Sequence, residues 1–130
     1  MTRRAVLISR ILLAVYLVTV FILCFGKFEA GPDFRMTIWG IPTDKVVHFS
    51  MFLPFPILLF CSLNGFRLGR PQRWIALLCI IAAGLLTATA TEAAQHFIPY
   101  RTGDWKDLAA DSIGIMTSSL ILAIVLCLKD

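Results

Sequence analysis

Charge is scarce in this chain. Of its 130 residues only 15% are Asp, Glu, Lys or Arg, and 58% are apolar. A soluble domain carries about 25% charged residues, so the composition argues against an ordinary soluble protein. Cysteine spacing of the metal-binding or disulfide type is also missing. Cys24, Cys61, Cys79 and Cys127 each sit inside an apolar run and no two form C-x-x-C, so they read as small hydrophobic residues. No basic stripe interleaved with aromatics is present. That removes nucleic acid as a partner despite the net charge of +4. The absence of Gly periodicity, of sustained heptads and of long polar tracts excludes collagen, coiled coil and disorder.

What the chain does have is long hydrophobic runs. Its mean hydropathy is +0.83. A membrane-spanning helix takes roughly 20 residues, so four would fill about 80 positions and leave short loops. The pattern predicts an all-α, polytopic membrane protein, a four-transmembrane-helix bundle forming a single domain over residues 1–130. The predicted helices cover about 6–25, 44–63, 74–97 and 105–128. The first carries no charge except Arg10 and resembles a signal sequence after Met-Thr-Arg-Arg. It lacks a clean small-x-small site, so it reads as a retained span. Gly40 and Pro42 interrupt the chain before Thr43, which is expected to cap the second helix. Pro54 and Pro56 predict a bend in that helix near Ser50 to Phe55. Small residues in the third and fourth runs, among them Ala82, Gly84, Ala88, Gly114 and Ser118, allow close helix approach in lipid. Trp39 fits an interfacial position.

Four spans place both termini on one side. That side holds Arg3, Arg4, Arg10, Arg67, Arg70, Arg73 and Lys129, against Lys27, Arg35, Lys45, Arg101 and Lys106 on the other. The excess of positive charge points both termini toward the cytoplasm.

Polar residues gather at the opposite, outward end. Asp44, Lys45 and His48 open the second helix, and Glu92, Gln95 and His96 close the third. Arg101, Asp104, Asp107 and Asp111 lead into the fourth. Asp44 with His48, and Glu92 with His96, are spaced i, i+4 and share a helix face; Asp104, Asp107 and Asp111 step by three and four along one stripe. Asp111 is expected about one turn inside the apolar zone, where a lone carboxylate must pair, meet water or keep its proton. Three acids on one stripe outnumber the cations within reach, which favours a protonated Asp111 or a proton shared with Asp107. Capping at a headgroup boundary accounts for Asp44, Lys45 and Asp104 as readily as a site does. Glu92, His96, Asp107 and Asp111 together exceed what capping needs and suggest a binding or catalytic pocket. Glu92, Asp107 and Asp111 are the candidate ligands of a divalent cation.

The residues Asp44-Lys45-Val-Val-His48-Phe49 match a pattern D-K-x-x-H-F. Glu92-Ala-Ala-Gln95 with Pro99 and Arg101 matches E-x-x-Q followed by P-x-R. Asp104-x-x-Asp107-x-x-x-Asp111-x-x-Gly114 matches D-x-x-D-x-x-x-N-x-x-G. Three blocks in this order, over residues 44 to 114, resemble the VanZ-like family of small bacterial membrane proteins. The resemblance implies a multi-pass protein of the bacterial cytoplasmic (inner) membrane, and a link to teicoplanin susceptibility through the founding member. It implies no assigned catalytic activity. Asp111 departs from the pattern, which has Asn there. That puts an amide-specific contact in doubt and strengthens a cation site or a protonated carboxyl.

Four functions compete. The first is an accessory protein of the cell envelope that contacts membrane lipid and handles a lipid-linked or peptidoglycan-related ligand, with Lys45 and Arg101 holding a phosphate or carboxylate. The second is a membrane-embedded hydrolase acting on a lipid phosphate, with the acids and histidines binding a metal or serving as acid and base. The third is a transporter or ion conduit, and the fourth is a structural interaction protein. Whether the chain is an enzyme is left open.

Overall fold

The computed structural model describes residues 1–27, 37–38, 40–99 and 103–129. Their elements are α1 (Arg3–Phe25), β1 (Thr37–Ile38), β2 (Ile41–Pro42), α2 (Thr43–Phe52), α3 (Phe55–Ser62), a 3-10 turn (Gly65–Arg67), α4 (Arg70–Gln95) and α5 (Trp105–Lys129). The fold is all-α apart from β1 and β2, a two-stranded antiparallel ribbon that pairs Thr37 with Pro42 and turns at Gly40, whose φ is +79°. Taking α2 and α3 as one span, four helical segments of 23, 20, 26 and 25 residues are long and apolar enough to cross a membrane. The chain is a multi-pass membrane protein.

Local chemistry sets the helix ends. The Thr2 hydroxyl accepts from Ala5 N at 3.2 Å and starts α1. The N-cap of α2 is Pro42, not the expected Thr43, which is the first helical residue. Pro71 occupies the first turn of α4, where its missing N–H is not needed, so that helix starts at Arg70 rather than Trp74. It ends at Gln95, before the expected Phe97.

The predicted bend lies between α2 and α3. Pro54 and Pro56 supply no N–H, so the ladder opens at Leu53–Pro54 and resumes with Leu58 N to Pro54 O at 3.0 Å. Beside the bend, Tyr16 OH donates to Met51 O at 2.7 Å and ties α1 to it. This is the partnering by which a kinked helix survives in hydrocarbon.

The α2–α3 span is the hub. α5 packs on α2 and α4, while α1 leans on α3. Gly114 brings α5 against α2, since a Cβ there would lie 2.5 Å from Phe49 O. Met51, Phe52, Ala88 and Ile115 fill the core with Val20 and Cys24 of α1. Phe55, Phe60, Leu77, Ile80, Leu122 and Leu126 fill it nearer the termini. The remaining apolar surface, such as Leu78, Leu86, Ile113 and Leu120, is exposed and faces lipid. Cys24, Cys61, Cys79 and Cys127 form no disulfide.

Candidate functional site

The start of α2, the end of α4 and the start of α5 meet at one end of the bundle. A 26-residue α4 is about 39 Å long at 1.5 Å per residue, longer than the ~30 Å of hydrocarbon it crosses. Its last turns therefore reach toward the headgroups. Phe97 and Trp105 are strongly exposed at the same end, as interfacial aromatics are.

Lys45 organises the rim. Its Nζ donates to Asp44 Oδ2 at 3.0 Å, to Asp104 Oδ2 at 2.9 Å and to Asp107 Oδ1. An ammonium has three donors, and each has a carboxylate here. Lys45 is therefore not presented to a phosphate or carboxylate, contrary to the expectation from the sequence. Asp104 also accepts from Lys106 N at 3.0 Å. That N–H and the Lys45 ammonium hold the Asp104 carboxyl below its ordinary range.

His48 organises the interior. Its Nδ1 is 3.0 Å from Asp111 Oδ1 and 3.8 Å from Glu92 Oε1, and its Nε2 is 3.7 Å from Asp107 Oδ2. Asp111 is 0% exposed, one turn deeper than Asp107 at 8%. The close partner of Asp111 is thus the His48 ring; no hydrogen bond joins it to Asp107 among the described residues. Glu92 Oε2 accepts from Asp104 N at 3.2 Å, pinning the loop before α5 onto α4. Glu92 Oε1 and Asp111 Oδ2 are buried without a hydrogen-bond partner. His48, Glu92 and Asp111 each offer one ligand atom, and these atoms lie within 4.8 Å of one another. Asp107, a candidate ligand from the sequence, is engaged by Lys45 instead, and His48 takes its place in the group.

Two candidates lie apart from this centre. Gln95 is buried and donates to Cys24 O at 2.9 Å, locking α4 to α1. His96 is exposed on a groove shared with Glu92, Asp104, Trp105 and Leu108. Arg101 and Trp39 lie outside the described residues. Tyr16 was not legible as a contributor, because its acceptor is a backbone carbonyl that leaves no mark in the sequence.

The centre thus gathers five carboxylates, from Asp44, Glu92, Asp104, Asp107 and Asp111, around Lys45 and His48. Within it His48, Glu92 and Asp111 form a potential metal-coordinating cluster, and the excess of carboxylates disfavours a bare anion. No curated protein and no solved structure matches the chain. A family model described as VanZ/LLP1 matches residues 8–126, which takes in α2, α4, the head of α5 and every side chain of the carboxylate centre, and the chain belongs to that family.

Proposed function

We propose that this VanZ-family membrane accessory protein acts in glycopeptide (teicoplanin) susceptibility by seating the polar end of a lipid-linked, peptidoglycan-related ligand at its carboxylate centre. The centre faces outward in this reading, with both termini in the cytoplasm. A divalent cation held by His48, Glu92 and Asp111 links ligand to protein. The observation that carries the reading is the pair of buried, unpartnered oxygens, Glu92 Oε1 and Asp111 Oδ2, beside His48. Leaving such oxygens without a donor or a cation is costly. Ligands of one zinc-sized ion, bound at roughly 2.1 Å, lie about 3 to 3.5 Å apart. The separations from His48 Nδ1 are 3.0 Å to Asp111 Oδ1 and 3.8 Å to Glu92 Oε1, and the three ligand atoms lie within 4.8 Å of one another, so an ion would have to draw the carboxylates together by about 1 Å. One nitrogen with carboxylate oxygens suits Zn²⁺ or Mn²⁺. A cation held by these residues would supply the positive charge that attracts a phosphate or carboxylate which the acids alone would repel.

Purified protein titrated with Zn²⁺ and Mn²⁺, and then with undecaprenyl phosphate or its peptidoglycan-linked form, tests both parts. The parent is expected to bind one ion per chain and to take up the lipid only when metal is present. The Asp111→Asn and Glu92→Gln proteins should bind the ion at least about tenfold more weakly, since each removes a charge from the ligand set. An Asp111→Asn protein with unchanged metal affinity sinks the cation. No uptake of either lipid with metal present sinks the ligand. The hydrolase alternative uses the same residues with a metal-bound water; phosphate release that stops on chelation would favour it.

A further inference from the structure

At the opposite end of the bundle a second polar site faces the other leaflet. The first turns of α1 and the turn after α3 enclose a cavity of about 350 Å³, lined by Arg3, Val6, Leu7, Arg10, Asn64 and Arg67. Arg3, Leu7 and Arg10 repeat at helical spacing and so share one face of α1. Arg67 approaches from the 3-10 turn, which Asn64 enters in the left-handed conformation at φ 56°. Arg10 Nε donates to Ser62 O at 3.1 Å, which fixes the guanidinium and leaves its other N–H groups for a ligand. Arg3, Arg10 and Arg67 take part in none of the ion pairs among the described residues. Asn64 Oδ1 is buried there without a hydrogen-bond partner.

From this cavity an apolar track runs along α1. Leu7, Ile11, Val15, Val18 and Ile22 are spaced by four, four, three and four, and each is more than half exposed. The track spans about 22 Å at 1.5 Å per residue; its first part, Leu7 to Val15, runs about 12 Å and lies within the ~15 Å hydrocarbon depth of one leaflet, the reach of an acyl chain. Only Val20 and Cys24 of α1 are buried. The helix thus contributes little to the core and offers most of its surface to lipid.

We propose that this end of the bundle binds an anionic phospholipid, with its phosphate among Arg3, Arg10 and Arg67 and an acyl chain along the Leu7–Val15 part of the track. Guanidinium groups match phosphate oxygens in charge and shape. A headgroup hydroxyl, as phosphatidylglycerol carries, supplies the donor that Asn64 Oδ1 lacks once the Asn64 side chain turns that covered oxygen toward the cavity it lines. Phosphatidylcholine has the same phosphate, but its quaternary ammonium is repelled by the arginines and has no hydroxyl to donate. The site is at the far end from the carboxylate centre and does not depend on what that centre binds.

The test is native mass spectrometry and thermal melting of the full chain in non-ionic detergent with added dioleoylphosphatidylglycerol or dioleoylphosphatidylcholine. Phosphatidylglycerol should be retained and raise the melting temperature, and phosphatidylcholine should do neither. Arg3→Gln and Arg67→Gln should each weaken phosphatidylglycerol retention about tenfold, the worth of a charge-assisted hydrogen bond. Arg4→Gln makes the same charge change outside the cavity and should keep the parent's retention. An equal loss in the Arg4→Gln protein would mean diffuse attraction and overturn the site. Glycerol 3-phosphate is the soluble arm; a melting rise equal to that given by phosphatidylglycerol would overturn the lipid assignment. Should Arg67→Gln disturb the turn, Arg3→Gln, exposed on α1, decides alone.

Discussion

Lys45 and His48 divide the carboxylates of the polar centre between them, and the division explains what each acid can do. Asp44, Asp104 and Asp107 converge on one ammonium. Lys45→Met leaves them facing one another, and stability should fall by about 2 kcal/mol. This is below the roughly 3–5 kcal/mol of a fully buried broken pair because Asp44 and Asp104 reach water. Thermal melting in detergent reads the loss, and an unchanged melting temperature would show that Lys45 holds nothing. Asp104 allows a test of sign. Its carboxyl lies below the ordinary range because Lys106 N–H and Lys45 favour the ionised form. The stabilisation is therefore complete above the unfolded value of about 3.9 and is lost as pH falls through the lowered folded value. The parent should melt above Asp104→Asn near neutral pH, and the gap should narrow as the pH approaches about 3. A gap constant across that range would mean the charge contributes nothing.

At the scale of elements, the centre depends on how closely α5 lies on α2 and α4. Gly114 sits where a Cβ would strike Phe49 O at 2.5 Å and Leu53 N at 3.3 Å, both backbone atoms that cannot rotate aside. Gly84 meets only side chains, Ile115 and Phe55 at 3.2 Å. Gly114→Ala should therefore force α5 off α2, lowering stability by about 1–3 kcal/mol and loosening the His48–Asp111 contact. Gly84→Ala should cost less. Melting of the two variants side by side checks the order, and a Gly84→Ala protein that melts lower would reject it. The proline bend belongs to the same scale. By keeping α2 and α3 in one span while opening the ladder at Leu53–Pro54, it lets Tyr16 of α1 reach Met51 O.

The whole molecule has two unlike ends. Carboxylates crowd one end around Lys45 and His48, while Arg3, Arg10 and Arg67 gather at the other without carboxylate partners among the described residues. With the arginine end in the cytoplasm, as the distribution of basic residues favours, a membrane-impermeant maleimide applied to intact cells should label a cysteine placed at Gly31. It should label one at Gly69 only after permeabilisation. The native cysteines are replaced for this experiment. The reverse pattern would invert the orientation and carry the carboxylate centre to the cytoplasmic side.

Composition and periodicity were enough for the class of fold, because hydrocarbon demands about 20 apolar residues per span and tolerates little else. The same reasoning located the proline bend and, through alternating helix direction, brought Asp44, Lys45, His48, Glu92, Asp104, Asp107 and Asp111 to one end. Helical spacing could say which acids share a face, since Asp104, Asp107 and Asp111 repeat every turn. It could not say which cation each acid meets, because that is set by the rotation of α2 against α5 and by the approach Gly114 permits. Only the tertiary structure decided that Lys45 takes Asp107, that His48 takes Asp111, and that Gln95 turns away to the Cys24 carbonyl. Partner choice among like side chains on one face is a matter of a few ångströms between helices far apart in sequence, and a pattern along one chain carries no measure of that distance.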